Sequence, residues 1–292
     1  MKLIVDSGAT KALWALVGDD GKLSATTATG GINLATMPAE RVDALVSEAA
    51  AAMNAEKVEA IWFYAAGLVS GGAAEASAPE VPELARDLDR TFRRFFPGAQ
   101  CFYASDLLAA ARAVCGRSKG IAAILGTGSN SCMYDGSAIV RNIHSCGFIL
   151  GDEGSAASLG KKFMAAFLKE LLPEDVSGDF ANRFEVDYLT VVKNVYRSAA
   201  PSGYLGSFAP YILSLYGKND YVTALVEDNF RDFIKTFILR YDPSRKLPVG
   251  VVGGFAYACR DILLKVAAQE GVNISEILPS PLEGLVKYHA SF

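Results

Sequence analysis

The sequence is short of the residues on which several kinds of chemistry depend. It has two histidines, His144 and His289. Two imidazoles are too few for a histidine-rich metal site and supply few Ser-His-Asp arrangements. The five cysteines are odd in number, widely scattered and form no Cys-x-x-Cys pair. This pattern favours reduced thiols, so we expect a cytoplasmic protein.

Long apolar runs and blocks of like charge are also missing. About half of the residues are apolar (51%), but no uninterrupted run approaches the roughly 20 residues that span a bilayer. The apolar start of the chain meets Asp6 at once, so we expect no secretory signal. A net charge of −4 without a basic patch predicts neither nucleic-acid nor membrane partners. Any bound phosphate must therefore be held by backbone amides and a metal.

The same succession of elements occurs twice in the 292 residues, a length that favours two domains. Apolar strands at residues 2–5 and 12–17, with a Thr-rich strand at 22–29, form a meander joined by small-residue turns. Strands at 120–125, 132–134 and 138–142 repeat this order. Further buried strands are predicted at 58–64 and 248–252. The pattern indicates an internally duplicated α/β protein.

Helical periodicity fills the intervals between these strands. Glycine, alanine and serine dominate residues 70–82, which we expect to form a surface loop. The predicted helices span residues 38–53, 81–95, 105–115, 155–172, 184–198, 221–241, 255–269 and 281–291.

Two small-residue turns follow the first strand of each repeat. In the sequence DSGATK at residues 6–11, backbone amides and the hydroxyl of Thr10 can bind phosphate, and Asp6 can approach Mg²⁺ through water. The turn GTGSNS at 126–131 offers the same chemistry. Each turn alone could be an ordinary hairpin start. As a pair at equivalent places in a repeat, they predict a nucleotide between two domains.

Two acidic positions and a third glycine turn complete the candidate site. Asp106 could accept a proton from a substrate hydroxyl, although it or Ser105 could simply cap the following helix. Asp152, within GDEGS, could bind vicinal sugar hydroxyls or, with Ser155, could only be a helix cap. The pair Gly253-Gly254 could carry a ring or ribose, or could serve close packing of strand and helix.

The ordered blocks DSGATK, SDLLAAARA, ILGTGSNS, CGFILGDEGSAASLGKK and VVGGFAY resemble the N-acetylglucosamine kinase branch of the BadF/BadG/BcrA/BcrD ATPase family. The resemblance covers essentially the whole chain. It implies two ribonuclease-H-like, actin-like ATPase domains with a central cleft that closes over ATP, Mg²⁺ and a sugar. The implied domains are residues 1–104 joined by a C-terminal helix at 281–292, and residues 105–280.

The resemblance also implies a role for individual residues. Asp106 is the expected catalytic base for a sugar hydroxyl, with O6 the expected position. The expected phosphate-binding residues are Ser7, Gly8, Ala9, Thr10, Lys11, Gly126, Thr127, Gly128 and Ser129. The expected adenosine-binding residues are Gly206, Gly253 and Gly254, and the expected sugar-binding residues are Asn33, Asp106, Gly147 and Asp152.

The sequence departs from the family pattern at two places, and the second of them, at residue 148, leaves the sugar open. Ser7 and Ala9 stand where relatives are often richer in glycine, and Phe148 stands where they often have tryptophan. The alternatives are an ATPase that activates a dehydratase or reductase, and a catalytically inactive sugar or ATP sensor. A DNA-binding form is not expected, because the first strand begins at Lys2 with no helix-turn-helix before it. Relatives are often dimers, so a homodimer is a further expectation.

Overall fold

The computed structural model describes residues 1–8, 11–34, 37–53, 57–68, 81–242 and 245–290. Ala9, Thr10 and most of the predicted loop at 70–82 lie outside these residues. The strands are β1 Lys2–Ser7, β2 Lys11–Val17, β3 Leu23–Gly30, β4 Ala60–Ala65, β5 Gln100–Ser105, β6 Gly120–Leu125, β7 Ser129–Tyr134, β8 Ile139–Asn142, β9 Val249–Val252 and β10 Ile274–Leu278.

The helices include a short 3₁₀ turn at Glu83–Ala85 and a π turn at Ile234–Ile238. None of the helices in the described ranges is both long enough and apolar enough to cross a membrane. The α-helices are α1 Ala39–Met53, α2 Arg86–Phe95, α3 Asp106–Cys115, α4 Gly147–Leu150, α5 Ala156–Leu168, α6 Glu174–Phe184, α7 Tyr188–Tyr196, α8 Pro201–Gly206, α9 Ala209–Ser214, α10 Asp220–Phe233, α11 Leu239–Tyr241, α12 Gly254–Ala258, α13 Arg260–Gln269 and α14 Leu282–Ala290.

The strands form two five-stranded sheets with corresponding orders. The first sheet has the order β3-β2-β1-β4-β5, and the second has β8-β7-β6-β9-β10. In the first sheet, β1, β2 and β3 pair antiparallel, whereas β4 and β5 run parallel to β1. The matching orders confirm the predicted internal duplication and the α/β class.

The chain forms two compact units. Unit 1 comprises Met1–Ala122, Cys132–Arg141 and Ser280–Phe292, and unit 2 comprises Ala123–Ser131 and Asn142–Pro279. The division passes through β6, β7 and β8, and α3 lies in unit 1. The domain boundary between residues 104 and 105 stays a prediction.

Unit 1 has a core on each face of its sheet, which explains why β1 is apolar at successive positions. Leu3 and Val5 face one core together with Trp14, whereas Ile4 faces the other, with Tyr64 from β4. Successive side chains of a strand point to opposite faces, so a strand covered on both sides is apolar throughout. Helices α1 and α2 pack against each other, with their buried residues in the first core.

The second core of unit 1 is covered by α3 and the C-terminal helix α14. A Cβ at Gly284 would lie 2.5 Å from the carbonyl oxygen of Ala113, so glycine permits this close helix contact. His289 on α14 is fully buried, and its Nε2 lies 2.8 Å from the hydroxyl oxygen of Tyr64. Arg112 of α3 donates to the same hydroxyl at 2.7 Å.

Unit 2 contains a cluster of aromatic rings centred on Phe180. Its ring centroid lies 5.0 to 5.4 Å from those of its neighbours, in edge-on or tilted arrangements. Aromatic pairs at these distances add to the stabilisation given by burial. The neighbours of Phe180 are Phe163, Phe167, Phe184, Phe208 and Tyr211.

The secondary structure differs from the sequence-based expectation at several places; helices α6, α8 and α9, for example, lie where no helix was predicted. A helix predicted to begin at Phe184 begins at Tyr188, because Glu185 in the left-handed conformation (φ 49°) ends α6 and Asp187 caps α7 through the N–H of Thr190. Strand β10 was not predicted, because it is partly exposed and Glu276 interrupts its apolar pattern.

Candidate functional site

The carboxyl ends of three parallel strands of unit 1 meet at one edge of its sheet. Strands β1, β4 and β5 end in register, with Ser7 opposite Ala65 and Ala65 opposite Ser105. Asp6 comes directly before Ser7 in β1, and Asp106 comes directly after Ser105, the last residue of β5. Ligands of open α/β sheets bind at this edge, so the fold brings both predicted acids to a suitable place.

A pocket of about 270 Å³ opens beside the same strand ends. Three of the residues that line it, Ser7, Gly8 and Asn33, are predicted ligand contacts. Apolar side chains provide most of the remaining wall, and they are Ile32, Leu34, Ala66, Leu68 and Leu84, with Gly67 completing the lining.

The side chain of Ser7 anchors the segment that carries Asn33. Its hydroxyl accepts a hydrogen bond from the N–H of Ile32 at 2.8 Å and donates to the carbonyl of the same residue at 3.3 Å. The N–H of Gly8 donates to the carbonyl of Lys11 at 3.0 Å, which closes the turn into β2. Ser7 thus positions Asn33, and its predicted contact with phosphate stays a prediction.

Asp106 is the first residue of α3, but the helix is capped by its neighbour. The hydroxyl of Ser105 accepts from the N–H of Leu108 at 3.1 Å, as an N-cap residue does. The capping role is therefore filled by Ser105. Burial raises the pKa of the Asp106 carboxyl, against the lowering effect of N–H groups at the helix start.

The pKa of the Asp6 carboxyl is also raised. Burial, and secondly the negative charge of Asp106, raise the pKa of Asp6 to about 7. Two carboxyl groups that disfavour each other's ionisation suit a divalent cation held through water, because the cation would offset both charges. In the described parts of the chain, no group of three or more His, Cys, Asp or Glu residues could enclose a metal ion. The pair of acids fits a metal held through water.

The second glycine turn has a backbone arrangement that suits an anion. The carbonyls of Gly126 and Thr127 accept from the first N–H groups of α5, those of Ala156 and Ala157, at 3.0 Å. Among the described residues, no acceptor pairs with the N–H of Thr127 or Gly128. The buried hydroxyl of Ser129 likewise has no partner in the described structure. Free donors gathered on a short turn are the usual means of binding phosphate.

Asp152 lies against this turn, a contact that the sequence did not predict. Its Oδ1 accepts from the N–H of Ser129 at 3.2 Å. A Cβ on Gly128 would stand 3.1 Å from its Oδ2, so any larger residue here would make a tight contact with the carboxylate. Burial raises the pKa of Asp152, whereas this hydrogen bond and the charge of Lys161 lower it. The sugar-binding role predicted for Asp152 stays a prediction.

The three glycines predicted to bind adenosine lie in unit 2 near the second turn. Gly253 has φ 141°, and a Cβ there would approach the carbonyl oxygen of Leu125 to 2.2 Å. Close packing against β6 therefore requires this glycine. Gly254, the first residue of α12, has open space beside its Cα. Gly206 lies beside the start of α5, where a Cβ would be 3.5 Å from that of Ala156.

Gly147 belongs to a closed loop of unit 2 that leads to Asp152. The N–H of Asp152 donates to the carbonyl of Ser145 at 3.0 Å, and Gly147 adopts φ 67° with open space around its Cα. Lys161 of α5 donates to the carbonyl of Phe148 at 2.6 Å. This bond was not predicted, because nothing local in the sequence pairs a helix lysine with a carbonyl 13 residues earlier.

The predicted site residues thus form two groups, each within one unit. Unit 1 contains Asp6, Ser7, Gly8, Lys11, Asn33 and Asp106, and unit 2 contains Gly126, Thr127, Gly128, Ser129, Gly147, Asp152, Gly206, Gly253 and Gly254. Ala9 and Thr10 fall outside the described residues.

Several solved structures share the fold. A candidate N-acetylglucosamine kinase from Porphyromonas gingivalis is 35% identical, with a TM-score of 0.87, over 100% of this chain and 99% of its own. A candidate N-acetylglucosamine kinase from Chromobacterium violaceum is 20% identical (TM-score 0.72; 98% of each chain). A ROK family glucokinase from Streptomyces griseus, solved with glucose and AMPPNP, is 18% identical (TM-score 0.55; 98% and 97% covered).

Comparison with curated proteins gave no significant match. A sequence profile of the BadF/BadG/BcrA/BcrD ATPase family matches residues 5–258. The match covers most of the chain and agrees with the likeness to the Porphyromonas gingivalis protein over its whole length. The chain therefore belongs to the BadF/BadG/BcrA/BcrD ATPase family.

Proposed function

We propose that this protein is an ATP-dependent sugar kinase that transfers the γ-phosphate to a hydroxyl, O6 by expectation, of N-acetylglucosamine or a related amino sugar. The observation that carries the proposal is the state of Asp106. Its carboxyl is not the cap of α3, burial raises its pKa, and it follows the end of β5 at the same strand edge as the pocket, whose wall is formed by other residues. The family and the candidate activity of the 35% identical relative support the same reaction.

In this proposal Asp106 is the general base. Its carboxylate accepts the proton of the sugar hydroxyl as the hydroxyl oxygen attacks the γ-phosphorus, and ADP leaves with the electrons of the broken phosphate bond. Burial makes the carboxyl a stronger base than an exposed aspartate, because its pKa is raised towards the working pH. Asp6 would hold Mg²⁺ through water, and the bound cation supplies charge neutralisation at the phosphate oxygens.

The pocket of unit 1 favours an acylated amino sugar over a plain hexose. Asn33 can exchange hydrogen bonds with hydroxyl or amide groups, whereas Ile32, Leu34, Leu68 and Leu84 offer an apolar surface. A hexose carries hydroxyl groups on nearly every carbon and gains little from such a wall. The methyl of an N-acetyl group would be stabilised there by roughly 1 kcal/mol.

The second glycine turn is the proposed site for the phosphates of ATP. The donors are the N–H groups of Thr127 and Gly128 and the hydroxyl of Ser129, which have no partner among the residues that the structure describes. The proposed adenosine site is at Gly254 and Gly206, where small residues leave backbone accessible.

The test is an ADP-release assay with Mg-ATP and a panel of glucose, glucosamine, N-acetylglucosamine and N-acetylmuramic acid, with the product identified by ³¹P NMR. We expect N-acylated amino sugars to stimulate release, and Asp106→Asn to reduce kcat by about 10² to 10⁴-fold. Asp220→Asn is a matched control, because Asp220 is also the first residue of a helix capped by its neighbour, Asn219. Failure of every sugar to stimulate release, or an unchanged rate in Asp106→Asn, would refute the proposal.

A further inference from the structure

Two consecutive lysines of α5 have different partners. The Nζ of Lys161 donates to the carbonyl of Phe148 at 2.6 Å. The Nζ of Lys162 forms an ion pair with Asp232 of α10, also at 2.6 Å. Lys162 therefore joins one helix to another, whereas Lys161 joins a helix to the loop at residues 145–152.

That loop is constrained along most of its length. Cys146, Gly147 and Asp152 all have positive φ values, of 60°, 67° and 59°, which non-glycine residues adopt at some cost. A Cβ on Gly151 would lie 1.9 Å from the carbonyl oxygen of Ser145, so the two ends of the loop are in direct contact. A loop held in such a conformation needs stabilising contacts, and the bond from Lys161 to the Phe148 carbonyl is one of them.

The far end of the loop contacts the second glycine turn. Asp152 accepts from the N–H of Ser129, and its Oδ2 would lie 3.1 Å from a Cβ at Gly128, which is a tight contact. Its buried carboxylate requires compensation, and Lys161 is the cation that acts on it. One side chain therefore bonds the middle of the loop and offsets the charge at its end.

We propose that Lys161 is a positioning residue, which holds the loop at residues 145–152 against α5. In this way it couples the proposed sugar contacts at Gly147 and Asp152 to the phosphate turn at residues 126–129. The inference rests on the proposed function, since it assigns those contacts to a sugar and a nucleotide. It concerns residues of unit 2 alone. Its physical basis is three hydrogen bonds: Lys161 bonds the carbonyl of Phe148 within the loop, the N–H of Asp152 closes the loop on the carbonyl of Ser145, and the Asp152 carboxylate accepts from the N–H of Ser129.

Steady-state kinetics of Lys161→Met, Lys161→Arg and Lys162→Met test this role. Methionine keeps the length and the apolar stem of lysine but removes the charge and the donor. We expect Lys161→Met to raise the KM for sugar and the KM for ATP together, by about tenfold or more, as loss of an orienting contact does. Lys161→Arg should restore much of the loss, and Lys162→Met should leave both constants unchanged.

The pH dependence of kcat/KM separates positioning from general loss of structure. Lys161 and Glu153 are the charged groups that act on Asp152, with opposite effects on its carboxyl. Removing Lys161 takes away a charge that lowers the pKa of Asp152, so the part of the acidic limb that Asp152 contributes, beside that of Asp106, should move to higher pH in Lys161→Met and stay in place in Lys162→Met. A merely destabilised loop would lower activity without moving this limb.

Hydrogen exchange of the protein without ligands keeps the inference testable if no sugar proves to be a substrate. Failure of the sugar panel with wild-type protein refutes the proposed function alone. Faster exchange of amides 145–152 and of the Ser129 amide in Lys161→Met, with wild-type exchange in Lys162→Met, would support the coupling. Equal exchange in the two variants, or equal kinetic constants, would overturn it.

Discussion

The carboxyl of Asp6 should make unit 1 less stable as the pH rises. Its pKa is raised from the ordinary value of 3.8 to about 7, chiefly by burial and secondly by the charge of Asp106. A raised pKa in the folded state means that the unfolded chain loses this proton first. The contribution of Asp6 to stability is therefore present below about pH 4 and is lost as the pH rises to 7.

The pKa also sets the size of the effect. Each factor of ten in proton affinity corresponds to about 1.4 kcal/mol, so the full displacement corresponds to at most about 4 kcal/mol. Asp6→Asn carries no charge at any pH. Without ligands, the variant should be more stable than wild type at pH 8 by up to about 4 kcal/mol, and the difference should vanish near pH 4.

Urea unfolding, monitored by tryptophan fluorescence, measures this difference in stability within unit 1. The chain has two tryptophans, Trp14 and Trp62, and both belong to strands of unit 1. Unfolding curves of wild type and Asp6→Asn from pH 4 to 8 give the free energy of unfolding at each pH. A difference that stays constant with pH, or a wild-type protein that gains stability over the variant at pH 8, would refute the reasoning.

Asp135→Asn is the control of opposite sign. The N–H groups of Ala138 and Ser137 lower the pKa of Asp135 below its ordinary value. Its contribution is present at neutral pH and is lost as the pH falls through the lowered pKa. The substitution should therefore destabilise the protein at neutral pH and matter less in acid.

Three further substitutions have defined structural consequences, each measurable by chemical denaturation. Ser105→Ala removes the cap bond to Leu108 and should cost about 1 kcal/mol, while Ser105→Asp should retain most of the stability. Phe180→Ala opens the centre of the aromatic cluster and should cost about 3 to 5 kcal/mol; a cost below 1 kcal/mol would contradict the packing. Gly253→Ala places a Cβ 2.2 Å from the carbonyl oxygen of Leu125 at φ 141° and should cost more than about 3 kcal/mol, whereas Gly254→Ala should be tolerated.

The fold could be predicted from the sequence because its signals are local. Each repeat begins with an apolar strand, and the strand is followed by a small-residue turn and a meander. Strand β1 is apolar at successive positions because both of its faces are covered. Strand β10 gave no such signal, because its residues are partly exposed and it forms only by pairing with β9, which lies well before it in the sequence.

The contacts of the candidate site could be predicted only in part. The sequence identified the glycines and acids of the site by residue type, but it did not identify the residues with which they form hydrogen bonds. Nothing local distinguishes Ser105 from Asp106 as the cap of α3, and the structure resolves this in favour of Ser105. The contact between Asp152 and Ser129 joins residues separated by 23 positions. Such a contact depends on the positions of two loops, which periodicity and propensity do not encode.

The packing of α14 on unit 1 has a consequence for synthesis on the ribosome. Lys2 bonds the carbonyl of His289, 287 positions later in the chain, and the face of the first sheet that bears Ile4 and Tyr64 is covered by this helix. Because synthesis proceeds at about 5 to 20 residues per second, α14 is completed tens of seconds after the first strands of the sheet. Until then, of the helices that the structure describes, only α3 covers this side of the sheet, so the nascent chain exposes part of an apolar surface of the kind that molecular chaperones bind.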